Sequence, residues 1–139
     1  MIKLIALLFA PIVSAGVLYD IDIIRVIDGD TVVYRADFLP EPLKKELSIR
    51  VYGIDTPEKE FRAHCTIEST LGEEATVFTK TAVSSSKLHQ VVLRDWDKYG
   101  GRVLGDVLLD GRSLRSMLIE NNLAVPYEGG KKRDWCRVR

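Results

Sequence analysis

The chain has 139 residues and a mass of 15.7 kDa, enough for one domain and too little for a second full one. Hydrophobic residues at 46% and charged residues at 29% exclude a disordered or collagen-like chain. With Lys+Arg at 20 and Asp+Glu at 20 it is no polybasic nucleic-acid coat, so phosphate binding needs a local cation cluster, and 2 Cys with 2 His are too few for a zinc framework.

The first element is a leader. Lys3 precedes the apolar run from Leu4 to Val13, and Val13-Ser14-Ala15 is a small-x-small site. This order is that of a secretory signal peptide, cut after Ala15. The run is shorter than the roughly 20 residues a bilayer span needs. The expected product is exported, periplasmic or secreted, with no membrane segment in its mature form. Residues 16–139 are then one domain, with a basic tail over 129–139.

Residues 21–27 are rich in β-branched side chains and predict a strand. Asp28-Gly29 then predicts a hairpin turn into a second strand from Thr31 to Tyr34. Residues 36–46 hold two prolines and read as a loop. Leu47, Ile49 and Val51 alternate with Ser48, Arg50 and Tyr52, as in a half-buried strand that ends by Pro57. From 67 to 87 the period changes, and Leu71, Ala75, Phe78 and Ala82 share one face of a helix. Residues 90–95 and 101–109 predict two more strands around the turn Asp97-Lys98-Tyr99-Gly100. Asp110-Gly111 turns again, and Ser113 is placed to cap a short helix carrying Leu114, Met117 and Leu118. Five strands and two or three helices predict an α+β, mainly-β fold, a five-stranded OB-type barrel with packed helices.

Three carboxylates, Asp30, Asp55 and Glu58, fall at strand ends. Hard oxygens of this kind suit Ca²⁺ or Mg²⁺, with carbonyls, waters or a phosphate completing the shell. The same residues also read as ordinary turns, Asp28-Gly29-Asp30 in a hairpin and Asp55-Thr56-Pro57-Glu58 as an Asx-type turn. Arg50 and Arg102 each interrupt a strand, and two such forks over paired carboxylates would clamp a phosphate. Periodicity does not say whether they converge. His64 and Cys65 are adjacent and do not suit a Cys–His nucleophile, which is assembled in space. Trp96 and Trp135 read as packing residues and His89 as a strand-edge residue. The tail cations read either as solvated charge or as phosphate contacts.

Three segments in order, Val26-Ile27-Asp28-Gly29-Asp30-Thr31, Arg50-Val51-Tyr52-Gly53-Ile54-Asp55-Thr56-Pro57-Glu58 and Asp97-Lys98-Tyr99-Gly100-Gly101-Arg102, resemble the staphylococcal nuclease (thermonuclease) family. The helix segment Gly72–Lys80 is similar to that family's first helix, and the resemblance covers about residues 22–127. It implies an OB-type barrel and Ca²⁺-dependent hydrolysis of DNA and RNA phosphodiesters, leaving 3′-phosphates. It implies metal binding by Asp30, Asp55 and the Thr56 carbonyl, and activation or orientation of water by Glu58. It also implies phosphate binding by Arg50 and Arg102 and a nucleotide contact by Tyr99. Tyr127 matches a second nucleotide-side tyrosine with a register offset of one. The sequence departs from the staphylococcal protein at the extra glycine of Gly100-Gly101, in a longer loop between Thr31 and Arg50, and in its two cysteines.

The expected function is thus an exported, sugar-non-specific Ca²⁺ nuclease acting as a monomer, with DNA and RNA as substrates and no stable protein partner. A non-catalytic nucleic-acid-binding OB module is the alternative. In an oxidising compartment Cys65 and Cys136 have only each other to pair with; two free thiols are the other outcome. The bond would draw the basic tail back to the Asp55–Glu58 segment, with Lys131 and Lys132 as phosphate contacts.

Overall fold

In the computed structural model the described residues are 16–98 and 100–137. The leader and Tyr99 lie outside them. All five expected strands are present: β2 (Ile23–Asp28), β3 (Thr31–Arg35), β4 (Glu46–Val51), β6 (His89–Trp96) and β7 (Arg102–Leu109). Four further short strands join them: β1 (Leu18–Ile21), β5 (Ile54–Asp55), β8 (Arg112–Ser113) and β9 (Val125–Pro126). The main sheet runs in the order β1-β6-β7-β4-β3-β2, with β8 paired to β7. β5 and β9 form a separate antiparallel pair. Two helices, α1 (Thr66–Ser85) and α2 (Leu114–Glu120), pack against this framework. The result is the expected α+β, mainly-β, OB-like architecture.

Local chemistry accounts for most of these elements. β2 and β3 meet with Asp28 opposite Thr31, so Gly29-Asp30 forms the tight turn. β7 alternates strictly: Val103, Gly105, Val107 and Leu109 are buried, and Arg102 and Leu104 share the other face. The α1 face predicted from Leu71 and Ala75 is buried, and Phe78 and Ala82 pack against the core beside it. Ser113 caps α2, its hydroxyl accepting from the Ser116 amide at 3.3 Å, and Leu114 and Leu118 are fully buried. The extra glycine is absorbed in the β6–β7 turn, where Gly100 and Gly101 both take positive φ (71° and 70°). β7 therefore still begins at Arg102, in parallel register with Ser48 of β4. That parallel β4–β7 pair carries Arg50 opposite Leu104.

Helix α1 sets the positions of two loops. A Cβ on Gly29 would lie 2.7 Å from the Ala75 Cβ, so the hairpin turn rests directly on the helix. The Thr79 hydroxyl donates to the Gly29 carbonyl at 2.7 Å. A Cβ on Gly72 would lie 2.4 Å from the Glu58 carbonyl oxygen, so the segment after β5 also lies against helix backbone. Both glycines serve close approach.

Candidate active site

The β2–β3 turn presents Asp30, an acidic side chain that is nonetheless buried. Thr31 Oγ1 donates to Asp30 Oδ1 at 2.9 Å, and the Val51 amide donates to the Asp30 carbonyl at 2.8 Å. The guanidinium of Arg50, on β4, reaches Asp30 Oδ2 at 3.5 Å. Asp28 stands behind it. Its Oδ1 is buried with no hydrogen-bond partner, and its carboxyl is pushed up to about 7, first by burial and then by its bond to Asp30 and the Asp30 charge.

Asp55 enters from β5 and is 3% exposed. Burial raises its pKa, while the Trp135 indole, Lys132 and Arg50 oppose that rise and the Asp30 charge adds to it. Asp30, Asp55 and Arg50 thus feel one another across strands that are far apart in the chain. Thr56 follows and is buried. Glu58 is half-buried and shares with Asp55 the wall of a cleft of about 690 Å³, together with Arg62, Lys132 and Arg133. Among the described residues no three His, Cys, Asp or Glu side chains form a ready-made metal cage.

The two arginines differ. Arg102 lies on the same face as Arg50, two residues along the parallel pair, and its guanidinium holds Asp97 Oδ2 at 2.6 Å. Arg50 is the one paired with Asp30. A smaller hollow of about 180 Å³ beside Arg50 is lined by Tyr52, Leu104 and Tyr127. Tyr127 is fixed there by its amide to the Gly53 carbonyl at 2.8 Å and by its hydroxyl to the Gly130 carbonyl at 2.9 Å. Lys132 Nζ lies 5.8 Å from the Tyr127 ring and 3.8 Å from Asp55 Oδ1, whereas Lys131 is simply exposed. Cys65 and Cys136 are disulfide-bonded, with Cα atoms 6.1 Å apart, so the tail does return to the Asp55–Glu58 segment.

Two residues of this site carry more than their sequence pattern suggested. Trp135, expected as packing alone, is buried and its Nε1 donates to Asp55 Oδ2 at 3.0 Å. Glu68 reads as one more helix acid, yet it is 4% exposed. It accepts from the Glu58 amide at 3.2 Å, from the His64 amide at 2.8 Å and lies 3.0 Å from His64 Nδ1. Its place three residues after the helix cap Cys65 is the spacing of a capping box, the signal that points to it.

Glu68 therefore ties the Glu58 backbone to the start of α1. Burial opposes its ionisation, but the His64 and Glu58 amides outweigh burial and lower its pKa below the usual 4.5. A carboxylate with a depressed folded pKa stabilises above its unfolded value and loses that contribution as pH falls through the folded one. Glu68→Gln is expected to cost about 1–3 kcal/mol at pH 7. The gap from wild type should shrink below about pH 4.5, as urea unfolding at several pH values will show.

A family profile described as staphylococcal nuclease homologue matches residues 48–135, a span that takes in Arg50, Asp55, Glu58 and Arg102. The thermonuclease of Staphylococcus hyicus is 32% identical over 103 residues, covering 73% of this chain and 56% of that protein. Endonuclease YncB of Bacillus subtilis (strain 168) is 33% identical over 111 residues, covering 77% of this chain and 47% of that protein. The chain thus spans about half the length of these curated relatives. With a profile that covers more than half of the chain and relatives at this identity, the chain belongs to the staphylococcal nuclease family.

Proposed function

We propose that the protein is a Ca²⁺-dependent nuclease that hydrolyses phosphodiester bonds of DNA and RNA and leaves 3′-phosphates. The observation that carries this reading is the meeting of Arg50 with buried Asp30, both close enough to act on the charge of Asp55, which shares a cleft wall with Glu58. A non-catalytic binding module has no need to bury two carboxylates next to an arginine, because burial of unneutralised charge is costly.

A hard divalent cation fits these residues. Asp30 and Asp55 offer oxygens only, and the orphaned Asp28 Oδ1 is one more buried acceptor in the cluster. Asp30, Asp55 and the Thr56 carbonyl would hold the ion, with waters and a substrate phosphate completing its shell. When bound it would supply Lewis-acid charge and a more acidic water. Glu58 takes a proton from the attacking water or orients it. Arg50 holds the phosphate oxygens through its fork and stabilises the charge that grows on them, and Arg102 assists once it exchanges Asp97 for phosphate. The hollow beside Arg50 suits a base against Tyr52 and Tyr127, and Lys132 with Lys131 contacts the backbone phosphates. The family resemblance adds Tyr99 as a nucleotide contact.

Plasmid DNA and RNA incubated with Ca²⁺, Mg²⁺, Zn²⁺ or chelator test the reading. Ca²⁺ should support cleavage of both, Zn²⁺ should not, and chelator should abolish it. Binding without cleavage under every condition would establish the OB-module alternative, and full activity after exhaustive chelation would overturn the metal requirement.

Export belongs to the same reading. The disulfide supports it, since such bonds persist in oxidising compartments. Mass spectrometry of protein from its native host should find a start near Gly16; an intact Met1 on soluble cytoplasmic protein would refute it.

A further inference from the structure

The tail bond to Asp55 is the contact that no motif of the sequence explains. We propose that Trp135 is a positioning residue for the Asp55 carboxylate: its indole, strapped in place by the Cys65–Cys136 disulfide, occupies Oδ2 and turns Oδ1 toward a divalent cation. The proposal rests on the metal reading above.

The indole nitrogen is a donor only, so its one bond assigns a fixed role to the oxygen it touches. That oxygen is Oδ2, at 3.0 Å, and both partners are at least nine-tenths buried. The second oxygen, Oδ1, faces a cation already, Lys132 Nζ at 3.8 Å. The carboxylate is therefore divided between a fixed side and a cation-facing side. Three features hold the indole where it is. The neighbouring Cys136 is bonded to Cys65 just before α1. Arg133 covers the ring from outside, its guanidinium carbon 4.9 Å from the ring centre. The Cys136 amide donates to Asp134 Oδ1 at 3.0 Å and closes the turn. Outer partners of this kind fix ligand orientation, and their removal typically weakens metal binding about 10–100-fold. A tryptophan that only packs would satisfy its N–H against any acceptor, and losing that bond would affect stability without touching ion affinity.

Calorimetry of Ca²⁺ binding to the full oxidised chain separates the two. Trp135→Phe keeps the ring and removes the donor. It should bind Ca²⁺ at least about 10-fold more weakly than wild type, with unchanged circular dichroism and an intact disulfide. Equal affinity would overturn the positioning role and leave the metal reading standing. No Ca²⁺ binding by the wild type would overturn the metal reading and the proposal with it. Should Trp135→Phe fail to fold, Trp96→Phe decides, because it removes the exposed tryptophan and leaves Trp135 as the sole reporter. Its fluorescence should change saturably with Ca²⁺ and lose that response when Asp55→Asn is added. A flat titration in Trp96→Phe would overturn the proposal.

Discussion

Glu58→Gln should lower turnover at least about 10²-fold while the fold persists. The amide keeps the size and shape of the side chain and loses its basicity, so the attacking water keeps its place without an acceptor for its proton. The backbone of Glu58 is held independently, by the bond from its amide to Glu68 and by the approach of its carbonyl to Gly72. The loss should therefore appear in activity and leave the melting temperature near that of wild type. Arg50→Lys tests the other half of the site. It keeps a positive charge beside Asp30 but gives up the planar fork that can hold two phosphate oxygens. Removing one such donor from a developing charge costs about 10²–10³ in rate. Single-turnover cleavage with saturating metal measures both effects, and near-normal activity in either variant would sink the mechanism.

Cys136→Ser should produce the largest change in stability without abolishing cleavage. The disulfide joins positions 71 residues apart, and chain entropy then puts its contribution at about 4 kcal/mol at most. The cost is smaller to the extent that the reduced tail frays, because the folded variant then also gains chain freedom. A fall in melting temperature of about 10 °C is expected for a domain of this size. Thiol counting on the unfolded, unreduced wild type should find none, and two titratable thiols would refute the bond in solution. Activity should fall modestly, because the variant frees Lys132 and the wall of the cleft and leaves Arg50, Asp30 and Glu58 in place.

The two periodicities of the chain made most of the framework legible. Alternation marked β4, and steps of three and four marked the buried face of α1. Turn chemistry marked the Asp28-Gly29 hairpin, and a serine marked the start of α2. The ordered motifs brought Asp30, Arg50, Asp55 and Glu58 forward as candidates. What periodicity reports is the face a side chain occupies; distance across the fold is set elsewhere. The parallel pairing of β4 with β7 spans the whole of α1 and β6, and it alone puts Arg102 on the same face as Arg50 while leaving it bound to Asp97. The two-residue strands β5 and β9 are too short to show any pattern, yet their pairing holds Asp55 in the cleft. Glu68 looks like a solvated helix acid until the Glu58 segment folds onto it. Trp135 looks like a packing residue of an irregular tail until a disulfide 71 residues long returns it to Asp55. Each of these depends on contacts between segments distant in the chain, whose closure entropy is offset only by the packed tertiary structure, so no local pattern encodes them.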